Sequence, residues 1–459
     1  MKQVFRFWGY DRDVYTQLLG DSGPMTQRTG HHPTARFGFV RWSEELLELG
    51  GAHTEAAANG FPTWLVVDPQ TVPEGKALAW FDAPGLDPFP IITQTVRHAH
   101  RFHFDVDRTI AFLQNEEYLP TGTPLYVKLG VNPDRLPFAV RHIGLKWFNA
   151  CWRVKRQTDD RPRVAAVDVW RWLIRKMAET STAADPVPFW PNGKRFAVVV
   201  SHDVDTDYVY HRRAVLDHLR AINESAGMRA AWLVVGKYAE AGRAALDDLH
   251  AGGHEIGFHD VEHDHRLAFL PLPRIRDRMA QSAVLRERYG ATGFRSPNFL
   301  RTPALFRALD GAFEYDMSMH DVAMSTASFA GRIEGCRTCL PFFVRGTDVL
   351  EIPTTVPDDV QFEIRGLTDV NAMLDQQWRS IQRIKLHGGL ANVTIHAEPP
   401  PLTQPRAIAV FQKLLSRLAA DPDAWLTTPH ALNRHWRRRH EMLERRWLHG
   451  ESPIPVAVA

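Results

Sequence analysis

From Phe196 onward the chain alternates short apolar runs with amphipathic segments, and no other feature restricts its fold so tightly. Phe196 to Val200 precedes a helical pattern near Tyr210 to Ile222, and Ala230 to Val235 precedes another at Tyr238 to Leu249. Glu255 to Phe258 is followed by a helix at Ile275 to Arg288 and the short run Gly293 to Arg295. Val349 to Ile352, a helix at Val370 to Ile384, Asn392 to Ile395 and a helix at Ala407 to Leu418 continue the series. Parallel strands can be rejoined only by long crossovers, so repeated strand–helix units predict a parallel sheet, open or closed into a barrel. In both arrangements ligands gather at the C-terminal ends of the strands. Chemistry is therefore expected where the apolar runs stop.

Residues 179–195 (ETSTAADPVPFWPNGKR) break the pattern. Pro186, Pro188 and Pro191 do not fit a helix interior or a central strand, and Asn192-Gly193 signals a turn, so this stretch reads as a linker. Residues 1–178 carry the apolar runs Arg36 to Trp42, Thr63 to Asp68 and Leu125 to Leu129, then an amphipathic helix at Asp168 to Met177. They predict a smaller mixed α/β domain whose role no motif specifies. With 459 residues, 44% apolar and 24% charged, the chain has the length and composition of a soluble protein of two or three domains. Fifty-five basic against 53 acidic side chains leave a formal charge of +2, which excludes a global attraction to nucleic acid or anionic membrane. No run approaches the ~18 apolar residues of a membrane span, and Met1 to Tyr10 lacks a signal-peptide core, which predicts a cytoplasmic protein. Cys336 and Cys339 (CRTC) have no second Cys pair to complete a zinc site and read as semi-buried loop thiols in a reduced compartment.

The strand ends are polar in a consistent order. FAVVV runs into Ser201-His202-Asp203-Val204-Asp205, where extended geometry turns both carboxylates to one side. The same Asp-x-Asp at Asp105 to Asp107 has no partner ligands and reads as a turn or helix cap. EIGF ends in His259, with His263 four residues on, a spacing that would stack two imidazoles on one face of a helical turn. Two His and a carboxylate leave coordination positions open for water and substrate, as metal-assisted hydrolysis requires. His250, His254 and His265 lie close by, and His265 competes with His263. GF ends in Arg295 and NVTI in His396. An arginine beside a carboxylate holds it ionised, and a histidine at a strand end can protonate a departing amine.

These residues resemble, in order, the motifs of the polysaccharide deacetylase family, the carbohydrate esterases of NodB homology. SHDVD stands where many members have Thr-Phe-Asp-Asp-Gly, and GGHEIGFH with His263 is similar to the run into the family's His-x-x-x-His motif. Arg295-x-Pro297 matches its Arg-x-Pro motif, and Ile395-His396 its closing hydrophobic strand ending in His. The resemblance covers 196–430, implies a distorted (β/α) barrel, and leaves 431–459 as a closing helix and tail. It implies Asp203 as catalytic base, Arg295 as its partner and His396 as general acid. As in a divergent branch of the family, the second carboxylate of Asp-x-Asp, Asp205, would join His259 and His263 on the metal. Tyr315-Asp316-Met317-Ser318 is similar to a Tyr-Asp-Ser-Ser variant of the fourth motif, which makes Asp316 the supporting carboxylate for His396, with Asp321 as the other candidate.

The function this implies is a metal-dependent hydrolase that removes N-acyl groups, N-acetyl foremost, from an amino sugar or glycan. The expected metal is zinc, with cobalt or nickel admitted by the resemblance. Trp232 and Phe299 are expected to line the sugar cleft. The competing readings are hydrolysis of a non-sugar linear or cyclic amide, and a glycan-binding module without catalysis. The basic run His435 to Trp447 contains interspersed Glu and reads as an amphipathic closing helix rather than a nucleic-acid surface. Oligomeric state has no signature in the sequence.

Overall fold

In the computed structural model residues 34–46, 61–67, 73–94, 100–119, 122–123, 125–129, 165–181, 187–322, 335–364, 369–397 and 405–449 are described. The first part builds an antiparallel sheet from β1 (Thr34–Trp42), β2 (Phe61–Val67), β3 (Lys76–Asp82), β4 (Phe89–Gln94) and β5 (His100–Phe102), in the order β2-β1-β3-β4-β5. Its inner side chains Val40, Phe61 and Phe81 pack with Ile110 of helix Val106–Gln114 and Trp170 of helix Ala166–Ser181. The Asp-x-Asp at 105–107 is a cap: Asp105 accepts from the Arg108 amide at 2.8 Å, a bond of about 1 kcal/mol. The run at Leu125 folds as a single helical turn, Leu125–Lys128, and not as an extended segment. Asp68 lies outside the described residues, and the helix expected from Asp168 begins two residues earlier and reaches Ser181, inside the expected linker.

The second part is a curled sheet of β6 (Phe196–Val204), β7 (Ala231–Val234), β8 (Glu255–Phe258), β9 (Gly293–Phe294), β10 (Tyr315–Asp316), β11 (Phe342–Phe343), β12 (Leu350–Glu351), β13 (Leu390–Thr394) and β14 (Ala424–Leu426). The order is β11-β12-β10-β9-β8-β7-β6-β13 with β14 also on β6, and every pair except β11–β12 is parallel. This is a distorted (β/α) barrel. All nine residues of β6 are buried, which is why a strand covered on both faces reads as a nearly continuous apolar run.

Alternation along β6 sorts its side chains into two layers. Val198 and Val200 face the helices with Trp232 and Leu216, whereas Ala197 and Val199 face inward with Leu233, Tyr315 and Leu390. Asp203 falls on the inward register, opposite Leu233. Three of the expected helices are divided. Tyr208–His211 and Arg213–Ser225 meet at Arg212, a short 3₁₀ turn at Gly236–Tyr238 precedes Arg243–Ala251, and Leu272–Ala280 stops before Ala283–Tyr289. At the last break the Ser282 hydroxyl turns back onto the Met279 carbonyl at 2.6 Å and competes with the helical ladder.

Helix Pro429–His449 closes the second part: Trp436 stacks on Phe189 at 6.0 Å and Arg439 donates to the Pro188 carbonyl at 3.0 Å. Cys336 and Cys339 are fully buried rather than semi-buried, and burial pushes both thiols well above their usual range. Among the described residues no helix is long and apolar enough to cross a membrane.

Candidate active site

Adjacent strands deliver the polar groups to one end of the sheet. Asp203 is the penultimate residue of β6 and Asp205 follows it; His259 follows β8, Arg295 follows β9, and His396 lies two residues past β13. Arg295 is fully buried and spends its guanidinium on four acceptors. Nη1 donates to Asp203 Oδ1 at 2.6 Å, Nη2 to Ser201 Oγ at 2.9 Å and Thr394 Oγ1 at 3.3 Å, and Nε to the Met317 carbonyl at 3.1 Å. A planar fork thus ties together β6, β13 and the turn after β10, a geometry lysine cannot reproduce. Burial alone would raise the Asp203 carboxyl, but Arg295, with His259 and His396, outweighs it and holds the group below its ordinary value.

The second carboxylate faces two imidazoles. Asp205 Oδ1 lies 3.2 Å from His259 Nε2 and 3.4 Å from His263 Nε2, and the three ligand atoms are all within 4.8 Å of one another. Burial works against an ionised Asp205 as well, yet His263 and His259 hold it well below the usual carboxylate range. The imidazoles do not meet on a helical turn. Residues 259–263 form a loop in which Asp260 (φ 63°) and His263 (φ 47°) take left-handed backbone, and the ring centroids stand 5.1 Å apart. Arg278 of the neighbouring helix braces that loop, donating to Asp260 at 3.0 Å and forking onto Asp264 at 2.9 and 2.7 Å.

These residues fit a divalent cation. Asp205 Oδ1 is buried without a hydrogen-bond partner, as an oxygen reserved for a ligand would be. His259 places Nδ1 2.8 Å from the Arg295 carbonyl; Nδ1–H donates there, which orients the ring so that Nε2 is the nitrogen facing Asp205. Asp203 and His259 are 2% exposed while His263 and Asp205 are 13% and 18% exposed, so the cluster opens to solvent on the side of His263 and Asp205.

His396 completes the group. Its Nε2 lies 3.8 Å from Asp203 Oδ2, and its Nδ1 is 2.8 Å from Asp359 Oδ1. The His396 backbone amide also donates to the Asp359 carboxylate at 3.3 Å. Burial alone would lower the imidazole, but Asp359 raises it well above its ordinary value. Asp359 begins the helix Asp359–Ile364 and was not among the residues expected from the sequence; the only signal was the acidic pair Asp358-Asp359 after β12. Asp358, Asp359 and His396 form a second close carboxylate–imidazole group, in which Asp359 is committed to the imidazole.

Among solved structures the chain is similar to two proteins assigned as polysaccharide deacetylases. For the one from Mycobacterium smegmatis the identity is 19% and the TM-score 0.44; for the one from Pseudomonas aeruginosa PAO1 they are 16% and 0.46. An allantoinase is similar at 16% identity and a TM-score of 0.45. Each match covers 56% of this chain and 95% of the other. No family model and no curated protein matches the sequence. At these identities and scores the likenesses carry no chemistry, which follows from the side chains.

Two sequence expectations need correction. Trp232 is fully buried on the helix-facing side of β7, stacked on His202 at 4.2 Å, so it cannot line a cleft. Asp203 and its register partner Leu233 point inward, which forces Trp232 outward. Asp316 does not orient His396. It accepts from Ser318 Oγ at 2.7 Å and from the Ser318 amide at 3.1 Å, beside Glu351 on β12, whose carboxyl is pushed well up by burial and by Asp316. Asp321 pairs instead with Arg383. Phe299 is buried over the Arg295 guanidinium, 5.3 Å away, and 4.2 Å from the His320 ring. His265 packs edge-on against His263 at 5.3 Å and is not in the ligand triad, His254 accepts from the Ala230 amide at 3.1 Å, and His250 packs on Tyr289 at 5.6 Å.

Proposed function

We propose that the protein is a metal-dependent hydrolase that removes an N-acyl group, N-acetyl foremost, from an amino sugar or glycan. The observation that carries this reading is the convergence of Asp205, His259 and His263 within 4.8 Å of one another, beside an arginine-held Asp203 and a carboxylate-backed His396. Asp205, His259 and His263 would hold the cation, zinc by donor set, with cobalt or nickel also compatible. A cation there supplies Lewis acidity, acidifying a water and polarising an acyl carbonyl.

Asp203 has one oxygen locked by Arg295 and the other facing the cluster, so it is placed to accept a proton from attacking water. Arg295 keeps that carboxylate ionised and fixes its direction. His396, held protonated by Asp359, is placed to give a proton to the departing amine, without which an amine anion would have to leave. What favours a sugar N-acyl group over other amides is the ordered run of motifs from SHDVD to Ile395-His396.

The test is metal content of the purified chain, then acyl release from a panel of N-acetylated sugars and glycans with and without chelator. Near-equimolar metal and chelator-sensitive release are expected. A metal-replete chain that acts only on ureides or imides would replace the sugar reading, and one that binds glycan without releasing acid would replace the hydrolase reading.

The His396–Asp359 pair makes a pH prediction. A folded-state value raised by Asp359 keeps His396 protonated to higher pH, and activity is lost as pH rises through it. Asp359→Asn removes the charge, so the alkaline limb of kcat/KM should move to lower pH and the rate above neutrality should fall by about 10- to 100-fold. An alkaline limb that does not move would show that Asp359 does not set the proton on His396.

A further inference from the structure

The two parts of the chain meet at helix Ala166–Ser181, where Asp168 accepts from the Cys339 amide at 2.8 Å, and at a short tip after helix Val106–Gln114, where each residue of 115–118 reaches into the second part. Asn115 Oδ1 accepts from the Arg345 amide at 3.0 Å, Glu117 pairs with Arg345 at 2.9 Å, and the Tyr118 hydroxyl donates to the Gly335 carbonyl at 2.6 Å. Between them Glu116 turns inward, with φ at 51°, and its carboxylate accepts from Arg301 and from the Gly335 amide. Both members of the Glu116–Arg301 pair are 5% exposed, so this is a buried, forked ion pair rather than a surface contact.

Arg301 passes the hold onward. Its Nη1 donates to the Phe299 carbonyl at 2.8 Å and to the Ser318 carbonyl at 3.1 Å. Those bonds fall where bracing is needed, because Asn298 and Phe299 take φ values of 53° and 54°. A bulky residue held in left-handed backbone costs on the order of 1–3 kcal/mol and persists only where the surroundings over-determine it. The ring carried by this strained backbone, Phe299, roofs Arg295, and Ser318 Oγ accepts at 2.8 Å from the amide of Ser296, the residue after Arg295.

We propose that Glu116, contributed by the first part of the chain, is a positioning residue for the active site: through Arg301 it fixes residues 296–301 and thereby the placement of Arg295 on Asp203. The first part is then a component of the catalytic site. The proposal rests on the roles given above to Arg295 and Asp203.

The test uses the full chain carrying Glu116→Gln, with Glu117→Gln as the neighbouring control and Arg301→Lys, which keeps the charge but loses the fork. Amide hydrogen exchange over 296–301 and 335–339 should quicken by about 10-fold or more in Glu116→Gln, less in Arg301→Lys, and stay within about twofold in Glu117→Gln. On a substrate that the wild-type chain hydrolyses, kcat should fall by about 10-fold in Glu116→Gln with KM within about twofold, since Asp203 is misplaced while binding is kept. Unchanged exchange at 296–301 would overturn the proposal without reference to any substrate. Faster exchange with unchanged kcat would overturn it too, leaving Glu116 as a prop between the two parts. A wild-type chain that hydrolyses nothing on the panel would refute the hydrolase reading, and the exchange measurement would still decide whether Glu116 holds the segment.

Discussion

Alanine at His263 is expected to leave a folded chain whose affinity for divalent metal has fallen by more than about 10²-fold, with turnover at limiting metal falling in step. His263 is the more exposed of the two imidazoles, so its removal leaves no fully buried cavity, although alanine fits the left-handed backbone there less readily than histidine and a modest cost in stability is expected. His259→Ala should lose metal as well, but at a cost in stability, because the buried ring and its bond to the Arg295 carbonyl go with it. Elemental analysis after dialysis and a melting curve separate the two effects. Wild-type metal content in both variants would remove these imidazoles from the site.

Asparagine at Asp203 and at Asp205 should have opposite consequences. At Asp203 it removes the proton acceptor and leaves the metal, so kcat should drop by roughly 10² to 10⁴ at saturating metal. It also leaves the Arg295 guanidinium buried without its counter-charge, and a loss of a few kcal/mol of stability is expected alongside. At Asp205 an anionic oxygen becomes a weakly donating amide, so occupancy should fall first and rate should recover in part when metal is supplied in excess. Loss of metal in Asp203→Asn with retention in Asp205→Asn would reverse the two roles. Full metal and full rate in both would move the chemistry elsewhere.

Much of the barrel was legible because strands buried on both faces are written as apolar runs, and a polar residue ending such a run is conspicuous: Asp203, His259 and Arg295 were all visible this way. What the sequence concealed was register and backbone sign. That Trp232 faces the helices follows from its pairing beside Leu233, the neighbour of Asp203, and pairing between separated strands leaves no mark in a single sequence. The spacing of His259 and His263 suggested a helical turn because the left-handed residues that bend the loop, Asp260 and His263, are not glycines. Asp359 was missed because its bond to His396 joins the start of one helix to the end of a distant strand. Of the two-residue strands, β9 and β12 stood out as short runs, whereas β10 and β11 were not read as strands because two residues are too few for periodicity to register.

Arg295 also bears on how the chain can assemble. Its charge is tolerable in the interior only when Asp203 stands opposite it, and Asp203 does so only if β6 has docked with its odd-numbered residues inward. A slip of one residue would present His202 instead and strand the guanidinium at a cost of roughly 3–5 kcal/mol. The pair assigned to holding a base ready thus also favours one alignment of β6 over its one-residue neighbours. The two side chains that set the chemistry therefore also disfavour the alternative register of the strand that carries one of them.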